Sequence, residues 1–231
     1  MADSPEPADD FDRRRILFPA FSYRIDLPMA QNYPLMLDLT DRAIVIIGGG
    51  AVAARKAAGL VSAGAKNIRV VSPEFRAIFP GQIERQVKCY HPDDLKDADL
   101  VFAATDSTAV NDAVMRDANA LGIWVNRSDA SEELSGDFST PAKFESGTIT
   151  VTVSAGSPAL AAMIRDELQA RFDPMWTAMA DAMKILRPMI KSGELDGPDR
   201  ADLFRALATP EAIDILRDKG IDGLKDWIAH R

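Results

Sequence analysis

A short apolar run, Ala43 to Ile47, stops at three consecutive glycines and resumes as an alanine-rich helical pattern. Apolar runs and helical patterns then keep alternating to about residue 125, and the last sixty or so residues carry helical patterns alone. These three observations predict an α/β fold: a Rossmann-like parallel sheet covered on both faces, then a small α+β unit and a C-terminal helical region. The 231 residues, 47% hydrophobic and 27% charged, suffice for one large domain or a domain with an appendage.

The elements follow in order. Residues 1–32 begin acidic, pass through Arg13-Arg14-Arg15 and offer little core material, so they read as a flexible extension. A lead-in from Tyr33 to Leu39 reaches the first strand at 43–47, and the helix after the glycines runs to about Ala63. Ile68 to Val71 is the second strand, 87–90 the third and 99–104 the fourth. A helix over 108–121 places Val110, Ala113, Val114, Ala118 and Leu121 on one face, Gly122 stops it, and 123–125 is the next strand. Beyond residue 130 the rhythm changes. A polar loop from Ser131 leads to an alternating strand at 148–153, and Ser157-Pro158 opens a helix to about Phe172. In the remainder, Trp176, Met179, Met183, Leu186 and Ile190 form an apolar stripe that Pro188 is expected to kink or end. Helix starts are expected at Gly197-Pro198 and Thr209-Pro210, and a helix end at Gly220. The division is 1–32, 33–130, 131–172 and 173–231.

Composition narrows the function. A net charge of −8 argues against nucleic acid as a partner, and no apolar stretch approaches the roughly 20 residues that span a bilayer. The N-terminus is acidic where a signal peptide is basic and then apolar. One cysteine, Cys89, excludes an internal disulfide, reads as a buried strand thiol and fits a reducing, cytoplasmic setting. With His91 and His230 as the only histidines, a preformed Cys/His metal site has almost no ligands, so no metal is expected.

The chemistry gathers where strands end, because ligands of open α/β sheets lie against their carboxyl ends. Gly48, Gly50 and Ala53 give the fingerprint G-x-G-x-x-A: a tight turn, close approach of amides to a pyrophosphate, and close packing of helix on strand. Gly49 completes the turn, and no G-K-[ST] follows to make a phosphate-transfer loop. After the second strand, Glu74 suits a ribose hydroxyl and hence NAD, while Ser72 and Arg76 suit the 2′-phosphate of NADP; the reading favours NAD. Thr105 and Asp106 follow the fourth strand, with Asp106 also suited to cap the next helix. Asp129 follows the fifth and can accept a proton beside a cofactor, more readily if burial raises its pKa; Arg127 can pair with it or hold an acidic substrate.

In this order the segments resemble the precorrin-2 dehydrogenase family, the NAD-dependent module of siroheme synthases. The resemblance runs from about Tyr33 to Phe172. It rests on Pro34 to Leu39, GGGAVAARK, VVSPE, AATD, Asn126 to Asp129, DFSTPA and SAGSPALAAMIRDEL. It implies oxidation of precorrin-2 to sirohydrochlorin with NAD and, in some members, insertion of ferrous iron. It puts cofactor contacts on the glycine turn with Ala51 and Val52, and on Pro73 and Glu74, and the key aspartate on Asp129. It also implies a homodimer that exchanges the unit around 138–172. A polycarboxylate substrate needs cations, for which Arg55, Lys56, Arg127, Lys143 and Arg165 are candidates, with Ser157 as a further substrate contact. Arg127-Ser128 depart from the small apolar residues usual before the aspartate, and the loop from Asn126 to Asp137 is longer than usual. A nucleotide-sensing module without catalysis is one alternative, though it has no need of Asp129; a family member that binds tetrapyrrole after losing turnover is another, kept open by the loop changes.

Overall fold

The structure, a computed structural model, describes residues 33–129, 136–192 and 200–230. The flexible extension, most of the polar loop after residue 130 and the helix start at Gly197-Pro198 fall outside these residues. Met1–Asp38 separates as a unit of its own, within which residues 33–38 have no regular secondary structure and are exposed.

In the rest of the chain, five parallel strands lie in the order β3-β2-β1-β4-β5. They are β1 (Ala43–Ile47), β2 (Asn67–Ser72), β3 (Glu84–Val87), β4 (Leu100–Ala103) and β5 (Trp124–Arg127). The central strands are uninterrupted apolar runs because both faces are covered. Ile44, Ile46, Val70 and Phe102 pack with Ala53, Ala57 and Leu60 of helix α1 (Ala51–Ser62). Val45, Ile47, Val71, Val101 and Val125 pack with Val114, Met115 and Ala118 of α2 (Thr108–Leu121). Each fully buried Val, Ile or Leu side chain contributes about 1.5–3 kcal/mol, so this double layer fixes the sheet. The small face of α1 matters most: Ala53 and Ala57, both wholly buried, bring the helix close to β1. The face of α2 differs from the expected one, since Leu121 is exposed while Asn111 and Met115 are buried.

The two sheet edges are closed differently. At one edge β3 is Glu84-Arg85-Gln86-Val87, three residues earlier than its apolar neighbourhood suggested. Only its inner side pairs, with β2, so polar residues serve there. Cys89 consequently lies beyond the strand and is exposed, not buried. At the other edge, the Asp137 N–H donates to Val125 O at 2.8 Å, and the Val125 N–H donates to Asp137 Oδ2 at 2.9 Å. This strap runs on to Phe138, whose ring meets Phe102 edge-on at 5.4 Å.

The next unit is a hairpin and a helix. β6 (Ala142–Ser146) pairs antiparallel with β7 (Ile149–Val153) across Gly147, whose φ is +58°. β6 escaped the sequence reading because Phe144 is its one buried residue. α3 (Pro158–Ala170) buries Ala161 alone among its residues and leaves Leu160, Met163 and Leu168 exposed.

Among the described residues, three helices close the chain: α4 (Pro174–Ser192), α5 (Arg200–Leu207) and α6 (Pro210–Ala229). Met179, Leu186 and Ile190 of α4 join Leu203, Leu207, Leu224 and Ile228 in a separate core. Pro188 does not end α4, which continues to Ser192. Its missing N–H forfeits one bond to the carbonyl four residues earlier, and burial of Leu186 and Ile190 on either side offsets the loss. Thr209 caps α6, accepting from Ala212 N at 3.3 Å, and Gly220, with φ +67° and ψ −168°, breaks it as expected.

Candidate functional site

The strand order reverses between β1 and β4, and the crevice at their carboxyl ends is where the glycine turn lies. Gly48 has φ +135°, and a Cβ there would stand 2.3 Å from Ala104 O. A Cβ on Gly49 would stand 1.9 Å from Glu74 O. The turn is thus gripped by the segments after β4 and β2, with Gly48 N–H donating to Val71 O at 2.9 Å and Arg76 N–H to Gly49 O at 2.9 Å. Gly50 differs. A Cβ there meets nothing within 4 Å, and as N-cap of α1 it gives the first-turn amides no side-chain acceptor. By contrast, Ser107, Ser157 and Thr209 cap their helices with hydroxyls. Uncapped amides of Ala51 and Val52, the positive end of the helix and room beside Gly50 fit a pyrophosphate.

On the β2 side, Pro73 and Glu74 are exposed at the rim. Ser72 Oγ–H donates to Glu74 O at 2.7 Å, so this hydroxyl shapes the loop. Arg76 Nε lies 2.8 Å from Glu74 Oε2, and its Nη1 lies 3.6 Å from Asp106 Oδ2. The two carboxylates hold the guanidinium pKa above its usual value, Glu74 foremost through its hydrogen bond. Arg76 therefore serves two acids rather than standing open to a phosphate. Asp106 is 90% exposed, and Ser107, not Asp106, caps α2, accepting from Val110 N at 3.4 Å.

On the β4–β5 side the structure supplies a residue that sequence reasoning missed. Asn111 is fully buried in α2; its Oδ1 accepts from the Thr105 N–H at 3.2 Å and the Thr105 hydroxyl at 2.8 Å. Its Nδ2 donates to Thr105 O at 3.2 Å, and the Asn111 side chain helps keep the Asp129 carboxyl below the usual carboxylate range. An asparagine at a core position of a helix was the signal that could have found it. Thr105 thus uses its polar groups to form the loop after β4.

Asp129 lies in the fork of Arg127: Nε to Oδ1 at 2.5 Å and Nη2 to Oδ2 at 3.0 Å. Arg127 Nη1 reaches Asp112 Oδ1 at 2.6 Å, and the arginine side chain is only 2% exposed. The Arg127 hydrogen bond holds the Asp129 carboxyl below the usual carboxylate range, outweighing its partial burial. The condition under which Asp129 accepts a proton more readily, a pKa raised by burial, is therefore not met. Ser128, between the two, has a buried hydroxyl without a partner among the described residues.

Lys56 of α1 points inward. Its Nζ donates to Asn126 Oδ1 at 2.9 Å and Thr140 Oγ1 at 2.6 Å, and lies 5.4 Å from the Phe102 ring centre. Asn126 Nδ2 donates in turn to Phe138 O at 2.7 Å. Lys56 therefore ties the strap to α1. Burial, then the charge of Arg55, lowers its pKa to about 8. Arg55 itself is exposed on α1. Ser157 caps α3, while Lys143 pairs with Glu145 and Arg165 with Asp166, so these three are engaged within the hairpin–helix unit. Among the described residues, no three His, Cys, Asp or Glu side chains gather into a metal site, and no helix is long and apolar enough to cross a membrane.

A parallel sheet with a glycine turn at its switch point and an uncapped helix behind it defines a dinucleotide-binding protein of the Rossmann class. Residues 35–142 match the family model described as putative NAD(P)-binding. The siroheme synthase of Tolumonas auensis is 34% identical over 206 residues, 85% of this chain and 42% of that protein. The siroheme synthase of Nitrosomonas eutropha is 40% identical over 146 residues, 60% of this chain and 30% of its own. The solved structure of SirC, a precorrin-2 dehydrogenase, superposes with a TM-score of 0.69 at 25% identity, covering 87% of this chain and all of its own. The chain is thus similar over most of its length to siroheme synthases and to a precorrin-2 dehydrogenase, and it spans less than half the length of the siroheme synthases it matches.

Two outcomes follow from this geometry. Glu74→Gln releases Arg76 from its nearer acid and narrows the preference for NAD over NADP by about tenfold, an effect of about 1.4 kcal/mol; titration calorimetry with both nucleotides measures it. For Lys56, the folded pKa lies below the unfolded 10.5, so the unfolded chain binds more protons between about pH 8 and 10.5. Relative to Lys56→Met, wild-type stability should therefore rise across that window, by about 1 kcal/mol after allowance for solvent screening. Urea unfolding of both proteins at several pH values measures the difference.

Proposed function

We propose that the chain oxidises precorrin-2 to sirohydrochlorin, using NAD, in the formation of siroheme. The observation that carries this reading is the pairing, on one end of the sheet, of a turn built for a pyrophosphate with the clamped carboxylate of Asp129. The dinucleotide supplies the hydride acceptor. Gly48, Gly49 and Gly50 let the backbone of the turn approach it, and the amides of Ala51 and Val52 face its phosphates. Pro73 and Glu74 flank the ribose of its adenosine end, and the loop of Thr105 and Asp106 borders the crevice next to it. Arg55, exposed near the start of α1, is a cation for a carboxylate of the substrate. Lys56 and Arg127 hold the site together from within, and a direct substrate contact by either is secondary to that.

In this reading, residues 33–130 bind the nucleotide, 131–172 serve dimerisation and substrate, and 173–231 form a helical appendage. The exposed apolar residues Leu160, Met163 and Leu168 of α3 suit a contact with a second copy, because a two-stranded hairpin and one helix bury too little alone. The cytoplasm, where the exposed thiol of Cys89 stays reduced, is the matching compartment.

Anaerobic turnover of precorrin-2, followed by the absorbance of sirohydrochlorin, tests the reaction. NAD-dependent product that falls about a hundredfold or more in Asp129→Ala supports it; no turnover despite nucleotide binding points to a binding module instead. Light scattering tests the assembly: wild type should run at twice the chain mass and Leu160→Glu/Met163→Glu at the mass of a single chain.

A further inference from the structure

Arg127 is the last residue of β5, and its side chain is almost wholly buried between β5 and α2. Among the described residues, the three hydrogen bonds of its side chain go to carboxylates, two to Asp129 and one to Asp112. A fork that engages both oxygens fixes a carboxylate in orientation as well as in charge. From α2, Asp112 takes the remaining arm of the guanidinium, and Asn111 helps hold the Asp129 carboxyl below the usual carboxylate range. Among the described residues no other charged side chain pairs with Asp129. The group of Asp112, Arg127 and Asp129 carries a net charge of −1, with Asp129 still 26% exposed.

We propose that Arg127 is a positioning residue that fixes Asp129 as an oriented anion, so that Asp129 stabilises the cation left by hydride loss instead of accepting the proton. This rests on the oxidation reading above. In that reaction a C–H bond of the substrate breaks and both its electrons pass with the hydrogen to NAD. The tetrapyrrole is left with one positive charge, and a second hydrogen leaves as a proton to water, so two electrons and two hydrogens are lost in all. A base in the grip of Arg127 is a poor acceptor, because taking the proton breaks one arm of the fork. A charge already fixed, by contrast, needs no reorganisation when the positive charge develops.

The two roles predict opposite signs. If Asp129 were the base, Arg127→Gln would free a stronger base, and the rate at pH 8 would hold or rise. As a fixed anion it loses its clamp, so kcat should fall about tenfold or more, and the acid limb of the kcat/KM profile should move to higher pH. Arg127→Lys should restore part of the rate. Asp112→Asn, which leaves the fork on Asp129 intact, should leave the limb in place or move it to lower pH. A fall in rate with an unmoved limb would reduce Arg127 to a structural tie between β5 and α2 and overturn the proposal. A readout independent of turnover is the carbon-13 resonance of the Asp129 carboxyl. It should stay ionised through the ordinary carboxylate range in wild type and titrate within that range in Arg127→Gln; ordinary titration in wild type overturns the clamp. If precorrin-2 is not oxidised while the resonance behaves as expected, the oxidation reading and the fixed-charge role fall together, and the positioning by Arg127 stands.

Discussion

The carbonyls of Ala104 and Glu74 close on the β1–α1 turn from two sides, leaving no room for a side chain at Gly48 or Gly49. Much else follows from this contact. It sets the height at which β4 and β2 end relative to β1, and so where Thr105, Asp106 and Glu74 emerge. It also directs the start of α1 toward the crevice. The wholly buried Ala53 and Ala57 then hold that helix against β1, so its amides stay aimed at the same place. A site built on strand ends and one rigid helix owes its precision to packing rather than to loop conformation.

Across the crevice a second device works by electrostatics. The Arg127 side chain is only 2% exposed, and it is tolerated there because its arms meet carboxylates on both sides. Asn111, on α2, holds the loop of Thr105 and helps keep the Asp129 carboxyl below the usual carboxylate range. One turn of α2 thereby organises the groups at the ends of both β4 and β5. Lys56 does comparable work on the other face of the sheet, holding Asn126 and Thr140 with an ammonium that has no carboxylate partner among the described residues.

What the sequence disclosed divides along physical lines. β1, β2, β4 and α1 were legible because strands buried on both faces are apolar runs and a glycine turn is a local signal. β3 and β6 were not, because Glu84-Arg85-Gln86-Val87 and Ala142-Lys143-Phe144-Glu145-Ser146 bury little and owe their conformation to a neighbouring strand. Pro188 misled for a related reason: local propensity argued for a break, and the tertiary core of α4 overrode it. At the site, the residues were found but not their liaisons. Asp129 could be placed at a strand end, yet the direction of its pKa depends on an arginine whose burial no local pattern announces. Asn111 was hidden within an apolar stripe.

The strap at β5 bears on how copies of this chain can meet. Asp137 occupies the main-chain groups of Val125 that a further strand would use. The opposite edge, β3, is short and carries Glu84 and Arg85. Such charged, brief edges discourage strand addition. Growth of the five-stranded sheet by edge-to-edge pairing is thus blocked on one side and disfavoured on the other. Among the described residues, each strand of the hairpin β6–β7 pairs only with the other, so its outer edges carry backbone groups that the five-stranded sheet does not use.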